Sequence, residues 1–401
     1  MSTYRSLDFH AAMDPVRNPY SPGAGRQPAA LVGRDDALAA WETSLQRAQI
    51  GRTDQPVVLY GLRGVGKTVL LSEFRRKAAK TGWIVAQIEA GTGKSLRELL
   101  GETLYAPLSD LARPGAGRRL LKSLKTALSF KASYDATGTW SFGVDLAEAS
   151  GGGANTGILD TDLKKLVNDL TDAAEEEGIG LAILVDEAQD LSSEELAALC
   201  TIAHAAAQDN WRVLLSFAGL PSLPRILAEA KPYAERFRYM RIQQLDSDVV
   251  AEALTIPAKL EDAQWEDDAI DVVVEASGRY PYFLQQFGQE TWNVAAGPVI
   301  ARHDAALGVA QGTNDLDNGF FRVRWDRATR AEQAYLRAMA VDRDKGSSSS
   351  EVAARLSRTP ASLGPARASL IAKGLIYAPE HGIVSFTVPG MAAFIGRQVG
   401  S

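Results

Sequence analysis

Residues 61–68 read Gly61-Leu62-Arg63-Gly64-Val65-Gly66-Lys67-Thr68 and fill every fixed position of the phosphate-loop pattern G-x-x-x-x-G-K-[ST]. The chemistry is polyphosphate capture. Glycines let backbone N–H groups turn inward at a helix N-terminus, the Lys67 ammonium reaches the outer phosphates, and the Thr68 hydroxyl is left for Mg²⁺. These eight residues and Val69 are the candidate nucleotide contacts. A second group lies downstream, where the apolar run Leu181-Ala182-Ile183-Leu184-Val185 closes on Asp186-Glu187. Asp186 is placed to hold Mg²⁺ through its water shell. Glu187 is placed to polarise the attacking water of an in-line hydrolysis. A polar residue at the end of a later strand usually meets the γ-phosphate or that water, and Ser216 is the available candidate.

These side chains need elements that hold them. Val57-Val58-Leu59-Tyr60 is a short apolar run before the loop and predicts a buried strand; the stretch from Val69 to Lys80 predicts the helix after it. Further strands are predicted at Trp83 to Ile88, Leu181 to Val185, Val213 to Phe217 and Tyr239 to Leu245. Five apolar strands alternating with helices imply an α/β fold, a parallel sheet with helices on both faces. Residues 95–126 and 160–177 read as helices, and Ser192-x-x-Glu195 is a capping box for another. Between them, residues 129–156 alternate loosely and end in a glycine-rich run, which predicts a β-hairpin insertion.

Outside this core, residues 1–28 carry four prolines and two glycines and should be extended and irregular. Residues 29–245 form the core, and residues 246–320 read as a helical lid. Within it, the stretch from Gly278 to Gln285 starts a helix with Pro281 in its first turn. In residues 321–401, Thr329-x-x-Glu332 caps one helix, Glu351 to Leu356 is a second, and Ser362 to Lys373 a third with Ser362 as its cap. Two strand-like runs follow, Leu375 to Tyr377 and Ile383 to Thr387, so the module reads as a winged helix.

Charge separates the parts. The net −6 hides twelve Lys and Arg against six Asp and Glu in residues 321–401, which is +6 there and −12 on the first 320. A basic terminal module fits an anionic partner, and solvated basic faces are also common. Its third helix offers Arg367 and Lys373, with Arg355 and Arg358 just before it, a set suited to phosphates more than to base edges. Composition, at 46% hydrophobic and 23% charged over 401 residues, is that of a globular chain of two or three domains. No apolar run is long enough to span a bilayer and the first residues lack a signal-peptide core, which points to the cytoplasm and away from membranes. The single cysteine, Cys200, cannot form an intramolecular disulfide, and its neighbours Leu196, Leu199 and Ala203 place it on a buried helix face.

Gly33-Arg34, the phosphate loop, Val185-Asp186-Glu187, Arg236-Phe237 and the terminal module, in that order, resemble the AAA+ ATPases of the origin-recognition type over residues 28–401. The resemblance implies ATP and Mg²⁺ as ligands, a turn at Gly33 and Arg34 near the adenine, and Arg236 as an arginine finger serving a neighbouring subunit. Arg238 is an equally reachable guanidinium. Where origin-recognition proteins commonly carry a lid arginine, this chain has Gly278-x-x-Pro281, which resembles signal-transduction ATPases with numerous domains. In those relatives the proline packs on the adenine. The fourth strand also lacks the asparagine or threonine often found at its end, a departure that bears on fast turnover.

Two outputs fit. One is an ATPase, assembling into a nucleotide-dependent homo-oligomer, that acts as a switch or assembly factor on DNA. The other is a slow-turnover scaffold whose terminal module contacts a protein encoded beside it.

Overall fold

The computed structural model describes residues 13–111, 118–132, 152–176 and 178–399. They form two compact units. One comprises residues 35–61 and 67–242; the other comprises the N-terminal segment to Arg34, Leu62–Gly66 and Gln243 onward.

The first unit runs α1 (Asp35–Gln49), β1 (Val57–Tyr60), α2 (Lys67–Lys80), β2 (Ile84–Glu89), α3 (Leu96–Leu111), α4 (Arg118–Ala132), α5 (Leu159–Glu176), β3 (Leu181–Asp186), α6 (Ser193–Asp209), β4 (Val213–Gly219), α7 (Leu223–Ala230) and β5 (Arg238–Arg241). The five strands pair in parallel in the order β2-β3-β4-β1-β5. Every residue of β3 and β4 is buried, as a central strand covered on both faces requires. Ile183, Val185, Leu215 and Phe217 share a core with Leu166 and Leu170 of α5 and Leu196, Leu199 and Ile202 of α6. Ala182, Leu184, Leu214 and Ala218 alternate onto the opposite face, which α1 and α2 cover with Trp41 stacked on Phe74. The Ser192 capping box forms and α6 starts one residue later.

Two expectations change here. Ser129 and Phe130 lie in the last turn of α4 and not in a hairpin, because Leu120, Leu124, Ala127 and Phe130 recur on one helical face and join the core. Of the rest of the predicted insertion, residues 131–132 end α4, residues 133–151 lie outside the described residues, and residues 152–156 form no strand. β5 stops at Arg241 and not Leu245, since its one neighbour, β1, ends opposite it at Tyr60.

The second unit runs α8 (Glu252–Leu260), β6 (Gln264–Trp265), α9 (Asp267–Ser277), α10 (Pro281–Val294), β7 (Val299–Ile300), α11 (Arg302–Asp315), a π-helical stretch (Leu316–Phe321), α12 (Arg322–Asp326), α13 (Arg330–Ala340), β8 (Ser347–Ser348), α14 (Ser349–Arg355), α15 (Gly364–Ala372), β9 (Ile376–Tyr377), β10 (Ile383–Phe386) and α16 (Met391–Val399). Residues 13–34 hold one short 3₁₀ turn, Pro15–Arg17, in an otherwise irregular and anchored path. Tyr20 is 1% exposed, and its hydroxyl donates to Leu254 O at 2.6 Å and accepts from Trp265 Nε1 at 2.8 Å. The proposed boundary at 320/321 falls inside the helical run from Arg302 to Asp326.

In the last eighty residues Thr329 and Glu332 form their capping box, and the strands make an antiparallel sheet in the order β8-β10-β9. β8 and α16 had no clear sequence signal. Ser362 does not cap the third helix: Thr359 Oγ1 accepts from Ser362 N at 3.3 Å, a short 3₁₀ turn follows at Ala361–Leu363, and α15 begins at Gly364 with Pro365 in its first turn. No helix among the described residues is long and apolar enough to cross a membrane.

Candidate active site

β1 delivers the chain to Gly61, whose N–H is held by Gly219 O at 3.1 Å on the adjacent β4. After the loop, α2 opens with Lys67, which is 5% exposed and donates from Nζ to Gly61 O at 2.9 Å. The loop's own carbonyl thus holds the ammonium where a polyphosphate would compete for it. Thr68 Oγ1 donates to Asp186 Oδ2 at 2.6 Å, so the tips of α2 and β3 meet in a side-chain pair. Asp186 is 6% exposed. Burial pushes its carboxyl up, the Thr68 hydroxyl works against that, and the neighbouring charge of Glu187 adds to it.

A cation here would relieve a buried carboxylate. Among the described residues no three His, Cys, Asp or Glu side chains cluster to hold a metal. A cation held by Thr68 and Asp186 would therefore take its other ligands from phosphate oxygens and water, the usual habit of Mg²⁺, and the donor set fits that ion.

Glu187 sits just past β3 with φ of 48°, at the start of a 3₁₀ turn (Ala188–Asp190). Its Oε2 accepts from Gln189 Nε2 at 2.7 Å, and Gln189 Oε1 accepts from Leu220 N at 2.9 Å. Ser216 lies elsewhere. It is fully buried, paired in register with Val57, and donates to Val57 O at 3.1 Å. It stands three residues short of Gly219, which is the β4 residue level with Tyr60 at the loop's entrance. The polar group at the end of β4 is therefore the amide of Gln189, which the sequence did not single out.

The loop tip belongs with the second unit. The Tyr280 hydroxyl donates to Arg63 O, Tyr282 N donates to Gly64 O at 3.3 Å, and Arg63 N donates to Thr387 O at 3.0 Å. Pro281 sits between the two tyrosines at the start of α10. Gly64 has φ of +85°, and a Cβ there would meet the Tyr280 ring at 3.0 Å, so the position is closed to a side chain twice over. Arg34 donates to Val65 O at 3.1 Å and Gln243 O at 2.7 Å, and burial pushes its guanidinium down. Arg324 is also held low, at about 10, by burial and by the like charge of Arg63. Arg324 was without a sequence signal.

The remaining candidates scatter. Arg236 ends a 3₁₀ turn (Pro232–Arg236) and is exposed, whereas Arg238 pairs with Asp54 at 3.4 Å. In the terminal module Arg355 is bidentate to Asp342 and Lys373 Nζ bonds Glu332 Oε2 at 2.6 Å. Arg367 is partly buried, and Arg358 is the exposed one of the four without an ion pair among the described residues. Cys200 is buried on α6, and burial pushes its thiol up to about 12.

The site and sheet define a class: a phosphate-loop α/β protein with a five-stranded parallel sheet. Residues 30–216 match the AAA ATPase domain, and residues 318–395 match a domain of unknown function, DUF8462. Residues 30–216 are thus similar to an AAA ATPase domain, as the resemblance implied. Among solved structures it is similar to the Walker-type ATPase PABY2304 of Pyrococcus abyssi, with 18% identity, coverage of 91% of this chain and 96% of that one, and a TM-score of 0.57, which shows the fold. It is also aligned with the ORC2 protein of Aeropyrum pernix, at 15% identity, coverage of 94% and 98%, and a TM-score of 0.48. No curated protein matches.

Proposed function

We propose that this chain is a Mg²⁺-dependent ATPase that works as a nucleotide-controlled switch or assembly factor. The observation that carries the reading is the bond between Thr68 and Asp186 at 2.6 Å, with Glu187 next in the chain. Mg²⁺ bound there would neutralise charge on the transferring phosphoryl group. Lys67 would bind the outer phosphates, and Thr68 and Asp186 would hold the cation. Glu187 takes the proton of the attacking water. Two variants test it. Lys67→Ala should lose ATP binding, and Glu187→Gln should bind ATP yet release no phosphate; wild-type affinity in the first or wild-type turnover in the second overturns the assignment.

A specific observation favours a protein partner over DNA for the terminal module, read as a winged helix. Arg355 and Lys373 are engaged by Asp342 and Glu332, so they are not free to meet phosphates. The chain is then a slow-turnover scaffold with a protein output. Duplex DNA titrated at low and moderate salt separates the outcomes: absence of binding supports the scaffold, and salt-sensitive binding lost in Arg358→Ala restores the DNA role.

A further inference from the structure

Gln189 connects two parts of the site that the sequence treats separately. Its amide lies between the carboxylate of Glu187, at 2.7 Å from Nε2, and the backbone N–H of Leu220, at 2.9 Å from Oε1. The orientation of that amide is dictated by its partners. A backbone N–H can only donate, so it takes the amide oxygen, and the NH₂ is left to face Glu187, which when ionised can only accept. Leu220 follows Gly219, and Gly219 O in turn holds the first N–H of the phosphate loop, at Gly61. The contact is close: a Cβ on Gly219 would fall 2.4 Å from Gln189 Oε1, so a side chain there would displace the amide. β4 contributes no polar side chain there, since Ser216 is spent on Val57 O and the residues after it are Phe217, Ala218 and Gly219.

We propose that Gln189 is the positioning residue of Glu187, holding its carboxylate by a donated hydrogen bond and registering it against the end of β4 and the entrance of the phosphate loop. The inference rests on the reading of Glu187 as the base. Glu187 follows a strand end in a left-handed backbone conformation, so nothing in regular secondary structure fixes its side chain. A bond to an oriented amide supplies that constraint, and such bonds are what keep a reacting group within reach of productive geometry.

The test is an isosteric pair, Gln189→Glu and Gln189→Met. The glutamate keeps an acceptor for Leu220 N and removes the donor to Glu187; the methionine removes both. If Gln189 acts through Glu187, Gln189→Glu lowers kcat by about ten- to hundredfold with KM for ATP within about twofold, and Gln189→Met does the same. If the amide merely supports the β4 end, Gln189→Glu turns over like wild type, and the proposal is overturned even should Gln189→Met fail to fold. The two failures are distinguishable, because wild-type turnover in Glu187→Gln alone removes the base assignment, whereas an inactive Glu187→Gln beside a wild-type Gln189→Glu removes only the role of Gln189.

Discussion

The Thr68 hydroxyl donates to Asp186 Oδ2 at 2.6 Å, joining two residues 118 apart in the chain at the adjacent ends of a helix and a strand. The same carboxylate accepts from Glu187 N at 2.9 Å on its other oxygen, and burial still pushes Asp186 up. A carboxyl whose folded pKa is raised opposes folding increasingly as pH rises from its unfolded value through its folded one.

Asp186→Asn should therefore stabilise the nucleotide-free protein by about 1 to 2 kcal/mol, because its amide oxygen can accept from Glu187 N, its NH₂ can donate to the Thr68 hydroxyl, which can turn to accept, and the buried charge is gone. The same variant should lose Mg²⁺-dependent hydrolysis. Thermal unfolding with and without Mg²⁺-ATP checks both halves; a lowered melting temperature in the nucleotide-free variant would contradict the electrostatic account.

Tyr280→Phe removes the donor to Arg63 O while keeping the ring against Gly64. Freed, that carbonyl can turn toward a polyphosphate and repel it. ATP affinity should fall by about tenfold, the worth of one hydrogen bond. Titration with a fluorescent ATP analogue measures it, and unchanged affinity would mean the loop keeps its form without the hydroxyl.

Glu332 gives the terminal module a pH dependence. Burial would raise its carboxyl, but bonds from Lys373, Ser369 and Thr329 outweigh burial and hold it at about 2. Its folded pKa is depressed, so the stability it confers is present above its unfolded value and is lost as pH falls from about 4 toward 2. Lys373→Met should cost about 2 kcal/mol at neutral pH and move the acid transition upward. Tryptophan fluorescence followed across pH, with Trp325 buried in the same unit, reads the shift.

Arg236 is exposed and has no ion pair among the described residues, whereas Arg238 is held by Asp54. If Arg236 serves a neighbouring subunit, Arg236→Ala should bind ATP normally and lose turnover by about a hundredfold or more. Wild-type specific activity should rise with protein concentration and that of the variant should stay flat. A rise in both would assign the finger elsewhere.

The phosphate-loop half of this protein is written in local patterns. The phosphate loop, the five apolar strands and the Asp186-Glu187 pair are read within short windows, because a strand's burial and a loop's backbone freedom are properties of neighbouring residues. The capping boxes at Ser192 and Thr329 are local for the same reason. Long-range contacts carry no such signature. Ser216 looked available because it is polar near a strand end, yet the register against β1 buries it three residues too early. The amide that occupies the end of β4 comes from the turn after β3, and the hydroxyl that holds the loop tip comes from Tyr280. Arg355 and Lys373 of the terminal module look like part of an anion surface until Asp342 and Glu332 are found against them. Which side chains are satisfied internally and which remain for a ligand is set by folding at a distance, and only the tertiary structure decides it.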